Sequence, residues 1–299
     1  MILAALSKAI TFVVGPTGSG KSHWALHEAA KNSGVILNAD SIQFYKYLDI
    51  GSAKPTPEER ERVPHFLFDV VAPDENFTAG DYRRAALGLI EEHSTYKPIY
   101  VVGGSGFYIQ ALTRGMYDIG PVPQSVREYI AHLGPREKMY EELLKKDPQA
   151  ARRIGPHDSY RIQRALEINE VTGQTVQQVE EQFRKQNSTL SEKYDVRTVG
   201  LTLHREELRR RISARTERML SLGWLDEVRD LMGRGYADTK ALKSVGYKEC
   251  LAHLRGELSR SNLFSSIVTS TMQLAKRQMT WFRRDQSVQW LASDARSLS

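Results

Sequence analysis

An apolar strand running into a glycine-punctuated turn limits this chain to few architectures. Ile10-Thr11-Phe12-Val13-Val14 leads into Gly15-Pro16-Thr17-Gly18-Ser19-Gly20-Lys21-Ser22, which meets every fixed position of G-x-x-x-x-G-K-[ST]. The glycines let successive backbone N–H groups turn inward as an anion nest. The helix that follows aims its positive end at the same spot. Lys21 adds a full charge, and the Ser22 hydroxyl suits a Mg²⁺ ion. Trp24, Ala25, Leu26 and Ala29 supply the helical pattern the motif needs next. A chance glycine turn would lack both flanks. The expected fold is α/β, a P-loop NTPase-like parallel sheet flanked by helices, binding a di- or triphosphate. The motif names neither the molecule nor its fate.

Further strands are read at Val35-Ile36-Leu37, His65–Val70 and Ile99–Val102. The first ends in Asn38-Ala39-Asp40-Ser41-Ile42-Gln43. Ligands of open α/β sheets sit beyond the carboxyl ends of strands, so Asp40 is either a carboxylate delivered near the phosphate loop or a turn residue. Residues 44–64 read as irregular, broken by Gly51, Pro55, Pro57 and Pro64. Thr78 is an expected N-cap for a helix to His93. The Ile99–Val102 strand ends in Gly103-Gly104. Phosphate-loop hydrolases usually hold Mg²⁺ with an Asp there, so weight shifts away from nucleoside-triphosphate hydrolysis.

After a helix ending at Gly115 the character changes. Breakers from Pro121 to Pro156 separate short helical patterns, and no strand pattern returns before Val196. Residues 121–190 read as an all-helical insertion in a core made of 1–120 and 191–299. Within it Asp158 caps a helix carrying Arg161 and Arg164, and residues 177–193 form a polar helix–loop segment. A strand at Val196–Leu203 rejoins the sheet. A helix follows with Leu208, Ile212, Met219 and Leu222 on its apolar face, then a long helix over 262–284 and a last strand at Val288–Leu291.

The net charge of +6 is uneven: residues 205–299 hold 18 Lys+Arg against 11 Asp+Glu. Such an excess fits a polyanionic partner, or a merely basic solvated surface. A single cysteine, Cys250, excludes an intrachain disulfide and a cysteine-built zinc site, and the default setting is reduced and cytoplasmic. No apolar run reaches transmembrane length. Met1–Val14 is apolar but lacks a basic start, and its second half serves as strand, so it is not read as a leader.

Longer strings now carry a resemblance. Asp40-Ser41-Ile42-Gln43-Phe44-Tyr45-Lys46, Asp49-Ile50-Gly51-Ser52-Ala53-Lys54-Pro55, Gly103-Gly104-Ser105-Gly106-Phe107-Tyr108, Val245-Gly246-Tyr247 and Gln273–Trp281 occur in order. With the phosphate loop, they make the chain resemble the bacterial tRNA dimethylallyltransferase (tRNA isopentenyltransferase) family. The resemblance implies transfer of a dimethylallyl group from dimethylallyl diphosphate to the exocyclic N6 amine of the adenosine 3′ of the anticodon in tRNAs, with release of pyrophosphate. It places Asp40 as the base that takes the amine proton. It places the loop from Gly15 to Ser22, and Arg215, on the leaving diphosphate, with Mg²⁺ on Ser22. Ser41, Ile42, Gln43, Ser105 and Arg127 match tRNA-contacting positions, Ser105 standing where Thr is usual. The family's Gln-Arg-Leu-x-Arg stands here as Tyr160-Arg161-Ile162-Gln163-Arg164. Leu242, Lys243, Ser244, Val245, Gly246 and Tyr247 match another RNA-contacting stretch. The insertion would embrace the anticodon stem-loop of a tRNA bound by a monomer. The rival readings are an adenylate isopentenyltransferase, which needs no insertion, a small-molecule P-loop kinase, and a non-catalytic nucleotide-dependent RNA-binding protein.

Overall fold

Six short apolar runs become one parallel sheet. β1 (Ala9–Val14), β2 (Val35–Asn38), β3 (His65–Phe66), β4 (Ile99–Val102), β5 (Asp195–Thr202) and β6 (Val288–Ala292) lie in the order β3-β2-β4-β1-β5-β6, every neighbour parallel. The computed structural model describes residues 8–117, 119–120, 122–186 and 188–292. Of Met1–Val14, the part before Lys8 therefore lies outside the described residues, as do Asp118, Pro121 and Asn187. The chain divides into two units, one up to Arg114 and from Lys193 on, the other Gly115–Glu192.

The inner strands β1, β2 and β4 are buried almost end to end, as a parallel sheet covered on both faces requires. Their order sets the carboxyl ends of β1, β4 and β2 side by side, which is where ligand crevices of open α/β sheets lie. α1 (Lys21–Lys31) starts directly from the phosphate loop and buries Ala25, Leu26 and Ala29 against the sheet.

Two segments depart from the sequence pattern. The stretch 44–64 contains α2 (Pro57–Arg62), six residues held by a reciprocal Thr56–Glu59 capping box with Pro57 opening the turn. The strand expected over His65–Val70 is only two residues long, because Leu67 and Asp69 take left-handed φ of 65° and 57° and leave the ladder. α3 (Ala79–His93) begins at the expected Thr78, again through a capping box with Asp81. α4 (Gly106–Arg114) follows β4.

In the second unit, described by itself, α5 (Gln124–His132), α6 (Arg136–Lys146), α7 (Pro148–Ile154), α8 (Ser159–Thr172), α9 (Val176–Gln186) and α10 (Leu190–Lys193) succeed one another with no strand among the described residues. Their core holds Ile130, Leu143, Ile162, Leu166 and Val179. Asp147 is buried at its centre and accepts from the backbone N–H of Ala150 at 3.0 Å and of Val176 at 2.8 Å, so one carboxylate caps two helix starts. Asp158 caps α8 through Arg161 N. The segment expected to be a polar helix–loop is anchored by buried Val176 and Val179.

Back in the first unit, α11 (Arg205–Ser221) buries Leu208, Ile212, Thr216 and Met219. Leu222 is 60% exposed, a correction to the expected apolar face: the helix has ended, and the 3.6-residue period puts Thr216 inside instead. α12 (Trp224–Gly233), a 3₁₀ turn at Ala241–Lys243, α13 (Tyr247–Leu254) and α14 (Arg260–Phe282) complete the chain. Cys250 is buried in their shared core. No helix among the described residues is long and apolar enough to cross a membrane.

Candidate active site

The phosphate loop has the backbone its sequence demands. Gly15, Gly18 and Gly20 all have positive φ, and a Cβ on Gly15 would lie 2.4 Å from the Leu201 carbonyl oxygen of β5. The loop closes through Ser19 N–H to Pro16 O at 3.2 Å, and Lys21 Nζ folds back to donate to Pro16 O at 2.8 Å. Ser19 Oγ is buried with no hydrogen-bond partner. Ser22 is exposed on the first turn of α1.

Cations crowd this loop. Burial pushes the Lys21 ammonium down to about 8, with Asp40 opposing the shift and Arg215 adding to it. Burial also lowers Arg215, against the pull of Asp40. Arg215 reaches the loop from α11, donating to Thr17 Oγ1 at 3.4 Å. Two cations held close together in desolvated surroundings are costly without an anion between them.

Asp40 faces the same space. The turn after β2 is built by Asn38, whose side chain accepts from Asp40 N at 2.8 Å and donates to Leu67 O at 2.9 Å and Asp40 O at 3.1 Å. Asp40 Oδ1 accepts from Ile42 N at 3.0 Å, so the Asp is also the turn residue that sequence left open. Ser41 N donates to Ser105 Oγ at 3.0 Å, tying the turn to the end of β4. Thr17, Asp40 and Arg215 line the polar side of a cavity of about 100 Å³, and Ile212, Met219, Trp224, Ile267 and Leu274 its apolar side.

The cavity also takes Ile42, Val245 and Tyr247 from the expected positions, and Gly51 and Ser52, which were not among them. Gln43 turns inward: its NH₂ donates to Ser52 O at 3.0 Å and Ala53 O at 3.1 Å. Three residues outside the predicted set hold this wall. Lys54, its side chain 3% exposed, pairs with Asp49 at 2.7 Å and Asp69 at 2.6 Å and donates to Tyr45 O. Glu227 accepts from the backbone of Asp49, Ile50 and Gly51 and from Tyr247 Oη at 2.7 Å. Gln278 accepts from Thr17 N and donates to Gly104 O. Lys54 and Gln278 lie inside strings that carried the resemblance, whereas nothing local marks Glu227, whose backbone partners are about 180 residues away.

Two expected RNA contacts are corrected by burial. Leu242 and Ile162 are both wholly buried, each in its own unit's core, and a side chain without exposed surface cannot meet RNA. Tyr247 is 1% exposed and committed to Glu227. Lys243 is exposed, and Ser244 donates to Ala241 O. In the second unit Arg127 and Tyr160 are exposed. Arg161 leans on Asp158 at 3.4 Å, and Gln163 and Arg164 both bond Glu167.

Among the described residues no group of three or more His, Cys, Asp or Glu side chains could hold a metal ion. Magnesium commonly keeps one or two protein oxygens and takes the rest from substrate phosphates and water. An exposed Ser22 hydroxyl beside an anion loop fits that pattern and not an all-protein cage.

Comparison with known proteins gives the family. The IPP transferase family model matches residues 43–285. A tRNA dimethylallyltransferase of Bdellovibrio bacteriovorus is 45% identical over 94% of this chain and 92% of its own, and one of Geobacter metallireducens is 42% identical over 94% and 92%. The solved tRNA isopentenylpyrophosphate transferase of Bacillus halodurans superposes with a TM-score of 0.70 at 31% identity, covering 97% of this chain and 92% of that one. A eukaryotic dimethylallyltransferase solved acting on tRNA superposes at 0.85 with 29% identity, covering 97% and 75%. A phosphate loop, a facing carboxylate and similarity along nearly the whole length lead to one assignment: the chain belongs to the IPP transferase family, prenyltransferases that modify tRNA.

Proposed function

We propose that this chain transfers a dimethylallyl group from dimethylallyl diphosphate to the exocyclic N6 amine of the adenosine 3′-adjacent to a tRNA anticodon, releasing pyrophosphate. The observation that carries the reading is one small cavity lined by Thr17 of the loop, Arg215 and a single carboxylate, Asp40, with the buried Lys21 ammonium close enough to feel both charges.

The chemistry follows from those groups. Negative charge builds on the bridging oxygen as the allylic carbon–oxygen bond breaks. The loop amides, Lys21 and Arg215 meet that charge without having to reorganise. The aryl amine is a weak nucleophile, so Asp40 accepts its proton as the carbon–nitrogen bond forms. A bound Mg²⁺ would neutralise further diphosphate charge, with Ser22 as its protein oxygen. The target adenine must leave its stack to enter the cavity. Ile42 and Val245 line the wall it would meet. The exposed Arg127, Tyr160 and Arg161 of the helical unit, and Lys243 of the first, supply the cationic and stacking contacts an anticodon stem-loop requires. Action on tRNA supports a cytoplasmic setting, and a single chain carrying every group invoked supports a monomer.

The test is transfer of radiolabel from dimethylallyl diphosphate to an anticodon stem-loop, with AMP as parallel acceptor and ATP as parallel donor. Label on the stem-loop alone is expected. Label on AMP, or phosphate transfer from ATP without prenylation, overturns the reading.

A further inference from the structure

The end of β4 departs from phosphate-loop hydrolases, which place an acidic residue where Gly103-Gly104 stand here. The structure supplies the reason for both glycines. A Cβ on Gly103 would lie 2.1 Å from Ala39 O, so the turn can press against the residue before Asp40. A Cβ on Gly104 would lie 2.2 Å from Gln278 Nε2. Into the space above Gly104 α14 sends the Gln278 carboxamide, and each of its ends is used. Oε1 accepts from Thr17 N in the phosphate loop at 2.8 Å. Nε2 donates to Gly104 O at 3.1 Å.

We infer that Gln278 is a positioning residue whose carboxamide braces the phosphate loop against the turn that carries Asp40. From Arg215 the hydrogen bonds run to Thr17, through Gln278 to Gly104, and then by Ser105 to Ser41 beside Asp40. Ser105 N also donates to Ala39 O at 3.4 Å. The path joins the groups that hold the leaving diphosphate to the group that takes the amine proton. Gln278 is not among the residues that line the cavity. Its effect is on the spacing of the two halves, and misplacement of about 1 Å in such a constellation costs on the order of 100-fold in rate. Since the Thr17 amide is committed to Gln278, the inward-facing nest for the anion begins beyond it. The inference rests on the transferase reading for its effect on rate, and on geometry alone for the brace.

Two measurements separate these. Amide exchange at Thr17, read by NMR, reports the brace without any reaction: Q278M, which keeps size and loses both bonds, should speed it at least tenfold. Steady-state kinetics report the consequence: Q278M should lose ten- to a hundredfold in kcat with KM for the stem-loop unchanged within threefold. G104A should act through the same carboxamide, so adding it to Q278A, where the space is vacated, should cost no more than twofold beyond Q278A alone. Unchanged Thr17 exchange in Q278M removes the brace. A kcat within twofold of wild type removes its role. If the wild type transfers no prenyl group, the functional reading fails, and Thr17 exchange still decides the brace.

Discussion

Raising the pH from 7 to 9 should weaken the binding of dimethylallyl diphosphate about tenfold, and Lys21 should be the cause. In the free protein, burial pushes the Lys21 ammonium down to about 8. A diphosphate beside it favours the charged form and keeps it protonated. Affinity then follows the protonated fraction of the free protein. That fraction is roughly 0.9 at pH 7 and 0.09 at pH 9, a tenfold loss or about 1.4 kcal/mol. The ligand contributes little, because the last ionisation of a terminal phosphate has its pKa at about 6 and is nearly complete by pH 7. The assay is isothermal titration of the diphosphate at constant ionic strength, without RNA. Lys21→Arg is the control, since a guanidinium stays charged throughout and should bind with a flat profile. A flat wild-type profile from pH 7.5 to 9, or an equally steep one in Lys21→Arg, refutes the argument that desolvation tunes this group.

Other outcomes follow from the same geometry. Linked to stability, the lowered Lys21 pKa means the unfolded chain holds that proton more tightly. The cost of the buried ammonium is therefore full below pH 8 and relieved as pH rises from 8 toward 10.5, so its contribution to urea midpoints should favour the alkaline side, and Lys21→Met should remove it. Asp40→Asn keeps Oδ1 for the Ile42 amide, so the turn survives while the base is lost; kcat should fall about 10²–10⁴-fold with stem-loop affinity within threefold, and near-normal turnover would count against Asp40 as base. Glu227→Ala strips three backbone amides and the Tyr247 hydroxyl of their acceptor, and should cost about 3 kcal/mol, read as a melting temperature lower by about 6–12 °C in scanning calorimetry. Arg161→Ala should weaken stem-loop binding uniformly and flatten the log K against log salt slope by about 0.7–0.9; an unchanged slope would take the second unit out of the phosphate contacts.

Local rules carried much of this molecule. The strand into Gly15–Ser22, the helix opened by Thr78, the Asp158 cap and the strands at β4, β5 and β6 depend on neighbours a few residues apart, so their periodicity and caps are written in order along the chain. Where a segment is short or strained, that logic weakened. α2 has no room for a hydrophobic period, and β3 is cut off by left-handed residues whose conformation is held by Lys54 and Arg60 on Asp69. Resemblance located positions but not the direction of their side chains. Leu242 and Ile162 fell in matched strings and turned out to be core, because burial depends on which face a helix or turn presents after the chain has packed.

By itself the sequence determined that a strand runs into a glycine-turned loop at a helix start in an α/β sheet, and that Asp40 stands at the end of a strand. Those statements need only backbone stereochemistry and alternation. Only the tertiary structure decided that Arg215, 198 residues from Thr17, reaches the loop, that Glu227 holds the 49–51 turn, and that Gln278 spans Thr17 and Gly104. Hydrogen bonds between residues that distant form only after strand order has set the carboxyl ends of β1, β4 and β2 side by side, and that order is a property of the packed sheet rather than of any one segment.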